Sequence, residues 1–213
     1  MSESKAFKKF KKTIHRCNEL HRSYKVIHGV TDMFKDEKDV RIPLPHDIIR
    51  GSVVLSISAL DAYITDVFSE KLVSYLKNHK ADDELIQILY DAGLDTREAL
   101  TLIQMDRPFR RIRNLMDQYY NNYTTQKFDV IDNLFKTYRL IDITENAQRK
   151  SGKKNLKATV QKLIDRRHKI AHDGDYNAYG KITAIDDVVI SKRIKSLDLL
   201  VQNIDEIINN RIR

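Results

Sequence analysis

The sequence predicts an all-α protein, a helical bundle with a long central helix and a long C-terminal helix, on three observations. Six Gly and three Pro make up about 4% of the 213 residues, against an average near 12%. The chain therefore lacks the punctuation that strands and tight turns need. The stretch from about 47 to 78 is free of Pro and rich in Val, Ile, Leu, Ala and Phe. As one helix it would run roughly 45 Å at 1.5 Å per residue, with Gly51 and the nearby Ser residues as bends. Near the end, Ile190, Ile194, Leu197, Val201, Ile204 and Ile208 alternate steps of four and three. Such an a/d seam, on a helix starting near Thr183 to Asp187 and ending about Asn210, packs within a bundle or against a second chain.

The remaining elements follow the same periodicity. Phe7, Phe10, Ile14, Cys17 and Tyr24 recur at three- and four-residue steps with His21 filling the missing place, which predicts an amphipathic helix over 5–28 ended by Gly29. Its interleaved lysines at 8, 9, 11 and 12 either line an anionic partner or, the favoured reading, keep the outer face solvated. Pro43 and Pro45 forbid helix through 40–45. Shorter periodic segments run from Leu85 to Tyr90, Arg97 to Met105, Phe109 to Tyr123 and Phe128 to Tyr138, punctuated by Gly93 and Pro108. The run RKSGKK at 149–154 reads as a basic loop. Leu156, Val160, Leu163, Ile164, Arg167 and Ala171 then form a helical stripe closed by His172-Asp173-Gly174-Asp175.

Composition limits the function classes. Hydrophobic residues at 41% suffice for one core, and 32% charged residues describe a heavily solvated surface. Cys17 is the single cysteine, so neither an internal disulfide nor a cysteine-rich zinc site is available and a reducing compartment is expected. The N-terminus lacks the apolar run of a secretory signal. No window reads as the roughly 18 apolar residues of a membrane span, so the expectation is a cytoplasmic protein with no membrane partner. Net charge is +8, from 38 Lys+Arg against 30 Asp+Glu, and such a surplus favours polyanionic partners. Arg107, Arg110, Arg111 and Arg113 beside Tyr119, Tyr120 and Tyr123 mix phosphate-holding and base-stacking side chains, although such arginines are more often a solvated face and such tyrosines half-buried packing. No internal repeat or long linker divides the chain, and 1–213 is expected to be one domain.

The densest chemistry lies in Arg166-Arg167-His168-Lys169-Ile170-Ala171-His172-Asp173-Gly174. His168 and His172, four residues apart, share a helical face. Arg167 lies about 140° from His172 and reaches it only through its long stem. Metal-free RNA cleavage needs one group to take the 2′-hydroxyl proton, one to protonate the leaving 5′-oxygen, and a cation on the charged phosphorane. Imidazole titrates near neutrality, and guanidinium offers phosphate a forked, always-charged donor. Spacing alone says little, since Arg16 to His21 and Arg41 to His46 repeat it. Asp61 falls on the stripe of Ile57, Ile64 and Phe68, where a carboxylate needs a partner.

Read together, Ser58-Ala59-Leu60-Asp61-Ala62-Tyr63 in the long apolar helix and the late Arg167-His168-Lys169-Ile170-Ala171-His172 resemble the HEPN superfamily, and more narrowly its RiboL-PSP-HEPN branch. The resemblance covers most of residues 45 to 205, and its strongest part is about fifteen residues. It implies an all-α bundle, a homodimer whose two Arg-x4-His motifs face each other across a cleft, and a metal-independent endoribonuclease acting as a toxin or in antiviral defence. By carry-over, His172 is the general acid/base, Arg167 the phosphate clamp and His168 the polar assistant. Arg166 and Lys169 are expected to add RNA contacts. Our own addition is Asp61, a buried anion that would hold Arg167 or an imidazole in place.

Other readings stay open. Arg167 paired with Asp61 would be a structural ion pair, and His172 a helix-terminal residue meeting the last carbonyls. His168 and His172 would begin a metal site, yet no Glu follows His168 and no third ligand is positioned, so neither metal nor cofactor is expected. No nucleophile elbow or Gly-rich phosphate loop supports acyl transfer or nucleotide hydrolysis. A non-catalytic module of this fold that binds RNA or protein, or a bundle whose last seam recruits an antitoxin or effector partner, are the rival functions.

Overall fold

A computed structural model describes residues 3–33, 45–120 and 125–212, and among them the chain forms nine helices and no strand beyond one isolated bridge. They are α1 (Lys5–Met33), α2 (His46–Asn78), α3 (Asp83–Asp91), α4 (Thr96–Ile103), α5 (Pro108–Tyr120), α6 (Phe128–Lys136), α7 (Ile143–Ser151), α8 (Leu156–Asp173) and α9 (Asp187–Arg211). The all-α class, the long central helix and the long C-terminal helix are as the sequence predicts.

Helix α2 is the axis. Fifteen of its residues are buried, over most of its circumference, as a broadly apolar helix requires in water. Its most apolar window is long and apolar enough to cross a membrane by composition, contrary to the sequence expectation, and 56% of that window is buried inside the bundle. Packing therefore accounts for its apolarity. Helix α1 runs antiparallel to α2: the Lys5 and Ala6 amides donate to Glu70, Lys9 pairs with Asp66 at 2.7 Å, and Tyr24 meets His46. Helix α9 runs alongside in the direction of α2, with Tyr63 donating to Asp205 and Lys71 to the Ile212 carbonyl. The α9 seam from Ile190 to Ile208 is wholly buried against α1, α2, α7 and α8. It thus serves the chain's own core and leaves no free stripe for another protein.

Helices α5 and α6 join the axis through an aromatic knot. Phe68 stacks on Tyr138 with ring centroids 4.4 Å apart and meets Tyr120 and Phe135 edge to face. The Tyr138 hydroxyl donates to the Phe68 carbonyl at 2.9 Å, satisfying the polar end of a buried ring.

Three expectations need correction. Gly29 does not end α1, which continues to Met33, because no packing or positive φ is imposed there and an exposed Gly merely weakens a helix. Residues 149–151 are the last turn of α7, a helix not foreseen, and the stop comes at Gly152 with φ +69. The predicted segment to Tyr123 is helical to Tyr120, and positions 121–124, like Pro43, lie outside the described residues.

Candidate functional site

Helix α8 carries the motif, and its buried stripe explains its placement. Leu156, Val160, Leu163 and Ile164 are buried against α2, α7 and α9. Arg167 continues that stripe at the C-terminal end, half-buried, with its Nε enclosed and without a hydrogen-bond partner among the described residues. His168 and His172 stand on the adjacent outer face, both exposed, with ring centroids 4.2 Å apart. The structure therefore brings the two imidazoles together on the helix end that also carries Arg167, whose guanidinium pairs with no carboxylate among the described residues. Such a group is a standing donor for an anion.

The helix stops because two successive residues take left-handed backbone, Gly174 at φ +60 and Asp175 at φ +64. The Asp175 amide donates back to the Lys169 carbonyl at 3.1 Å, a C-terminal capping pattern that satisfies an orphan carbonyl. Asp175 is completely buried, and its Oδ2 accepts from Arg50 Nε at 2.7 Å and Arg166 Nη2 at 2.6 Å. Both guanidiniums also donate to the Thr183 carbonyl, at 2.7 and 3.1 Å. A buried charge of this kind persists only when paired and hydrogen-bonded. The cluster bolts α2, the end of α8 and the segment before α9 into one piece at the end of the helix that carries the histidines.

That assignment corrects one expectation. Arg166 is a structural ion-pair residue with a side chain only 15% exposed, spent on Asp175 rather than free for RNA. Asp61 is likewise engaged elsewhere. Its Oδ1 accepts from the Thr125 amide at 2.6 Å and the Thr125 hydroxyl at 2.5 Å, and its Oδ2 meets Gln126 at 3.5 Å. The carboxylate on the apolar stripe anchors the segment leading into α6 and braces neither Arg167 nor an imidazole. Sequence reasoning also missed Arg50 and Asp175. The available signal was Asp175 itself, an Asp directly after a helix-ending Gly, since Asp tolerates left-handed backbone.

The arginines of α5 are not part of this site. Helix α5 packs on α2 and α4, whereas α8 packs on α2, α7 and α9. Arg107 and Arg110 are exposed, Arg111 pairs with Glu98 at 2.6 Å, and Arg113 borders a groove shared with Asp66, Glu70 and Asp117. Tyr120 is buried in the Phe68 knot and Tyr119 is half-buried against it, so these rings are packing groups; Tyr123 lies outside the described residues. Lys169 is exposed and shares a depression with Lys162, Asp165, Arg166 and Arg193. Among the described residues, no three His, Cys, Asp or Glu are grouped to hold a metal.

Fold and site together define a helical bundle that presents a histidine-bearing, cationic helix end. The chain belongs to the RiboL-PSP-HEPN family, whose model matches residues 11–210. That membership makes it a nuclease-like or RNA-related module. No curated protein and no solved structure matches the chain.

Proposed function

We propose that the protein is a metal-independent endoribonuclease that cleaves single-stranded RNA at the end of α8. The observation that carries this reading is the pair of exposed imidazoles 4.2 Å apart on the helix end that carries Arg167, which has no ion-pair partner among the described residues, in a chain of a family whose members include ribonucleases. In the proposed reaction an imidazole at His172 takes the 2′-hydroxyl proton and the 2′-oxygen attacks phosphorus. The P–O5′ bond then breaks with protonation of the 5′-oxygen. The products are a 2′,3′-cyclic phosphate and a 5′-hydroxyl, with no other reactant consumed. Arg167 holds the phosphate and stabilises its added negative charge. His168 orients its neighbour's ring and keeps a second titratable group at hand.

A homodimer with the two motifs facing across a cleft would supply the acid for the leaving oxygen from the second copy. A cytoplasmic role as a toxin or in antiviral defence, under the control of a protein antitoxin or effector, fits such an activity. The test is His172→Ala, which removes cleavage while leaving helix content and RNA affinity unchanged, because an exposed side chain contributes little to folding. If the variant protein instead binds RNA as wild type does and wild type never cleaves, the chain is a non-catalytic RNA-binding module.

A further inference from the structure

The motif leaves unassigned the loop that follows it. Asp175, locked under Arg50 and Arg166, starts a tight return in which Tyr176 bridges Ile182, the Asn177 amide donates to the Lys181 carbonyl at 2.8 Å, and Thr183 donates back to Asp175 at 2.8 Å. Asn177 Oδ1 accepts from the Tyr179 and Lys181 amides at 2.9 and 3.0 Å. The tip turns at Gly180, φ +70. This is a short loop held by its own hydrogen bonds and a buried anchor, yet it leaves its rings outside: Tyr179 is 87% exposed and Tyr176 53%. Folding gains little from a ring as exposed as that of Tyr179.

Their position is informative. A Cβ on Gly174 would stand 3.2 Å from Tyr176 Cε2, so this ring lies against the backbone just past His172, and the Tyr176 amide donates to the Asp173 carbonyl at 3.2 Å. Tyr179 is three residues on, within roughly 10 Å by chain length. Lys181, exposed, follows Tyr179 in the same loop, and Arg167 and Lys169 lie in the last two turns of α8 that lead into it. Rings interleaved with cations hold single-stranded nucleic acid, the faces taking bases and the cations phosphates.

We propose that the Tyr176–Ile182 loop is the base platform of the site, on which Tyr179 stacks a nucleobase next to the scissile phosphate. This rests on the ribonuclease reading of the motif. Tyr179 is here a substrate-positioning residue, and the rival occupant of the loop is a second copy of the chain.

The test uses the full chain and a single-stranded RNA with one cleavage site, alongside counterparts carrying one abasic nucleotide at each position flanking that site. Wild type, Tyr179→Ala and Tyr179→Trp are compared by kcat/KM and by sedimentation velocity. Loss of one stacked base predicts a roughly 5- to 100-fold lower kcat/KM for Tyr179→Ala on intact RNA. Tyr179→Trp should retain activity, and the Ala deficit should vanish on one abasic RNA. Equal cleavage by Tyr179→Ala and wild type overturns the platform, as does a deficit that persists on every abasic RNA. A smaller sedimenting species for Tyr179→Ala also overturns it and makes the loop a contact between copies. Should wild type cleave no RNA, the same series is read by fluorescence anisotropy. Absence of RNA binding there removes both readings, whereas binding that depends jointly on Tyr179 and one base keeps the platform and removes only cleavage.

Discussion

Arg166 and Asp175, nine residues apart, close a 2.6 Å ion pair across the C-terminal turn of α8, and the adjacent Arg167 has no such partner among the described residues. One guanidinium builds the helix end while its neighbour stays available at the surface. This division of labour predicts opposite phenotypes. Asp175→Asn keeps the side-chain shape and the tolerance of φ +64, but leaves half-buried Arg166 without its anion and buried Arg50 with only the exposed Asp47. We expect a loss on the order of 3 kcal/mol in urea unfolding, with the position of the histidines disturbed as well. Arg167→Lys should unfold as wild type does, yet cleave much more slowly, because an ammonium lacks the forked donor set.

His172→Ala and His168→Ala should each change stability by less than about 0.5 kcal/mol, as exposed side chains do. Their effects on cleavage separate them. A general acid/base contributes about 10²–10⁴ in rate, so His172→Ala should fall by that factor and His168→Ala by less. Single-turnover rates on labelled RNA at saturating protein check both.

Asp61→Ala should cost about 1–3 kcal/mol, since it strands the Thr125 amide that the carboxylate accepts and leaves the Thr125 hydroxyl only the Asp61 carbonyl at 3.2 Å. Cleavage per folded molecule should be unchanged, because Asp61 touches neither Arg167 nor the histidines. Activity measured on the folded fraction, with unfolding followed by circular dichroism in parallel, distinguishes this from a brace for the site.

Stability should also fall on mild acidification through His21. Its Nε2 meets Ser52 Oγ at 3.0 Å, its Nδ1 is buried without a partner among the described residues, and burial lowers its pKa below the usual histidine value. A depressed folded-state value means that the unfolded chain takes up the proton first, near pH 6.5. The unfolding free energy is thus full above that pH, declines as pH falls through it, and levels off below the folded-state value. Thermal unfolding of wild type between pH 7.5 and 5 should show the decline, and His21→Gln should flatten it.

Much of this architecture is legible in residue order, and the reasons are physical. The α2 and α9 boundaries follow from Pro45 and from an apolar period sustained over many turns, both strong local signals. The motif's own geometry is equally local: an i, i+4 pair of histidines on a helix must share a face. What escapes sequence reading depends on contacts between distant segments. Asp175 meets Arg50 across 125 positions and Asp61 meets Thr125 across 64, and no periodicity encodes which carboxylate finds which donor. Arg166 and Arg167 look interchangeable in the sequence, and only the return of the chain after Gly174 sorts them. Helix α7 escapes for another reason: its basic last turn, Arg149-Lys150-Ser151, carries the composition of a loop.

The central claim is that the end of α8 cleaves RNA without a metal. Wild type and His172→Ala protein, each incubated with end-labelled single-stranded RNA in excess EDTA, test it most directly when the 3′ ends of the products are analysed. The account predicts fragments ending in a 2′,3′-cyclic phosphate from wild type and intact RNA from His172→Ala. Cleavage that survives His172→Ala, or that vanishes from wild type when EDTA is added, would contradict it.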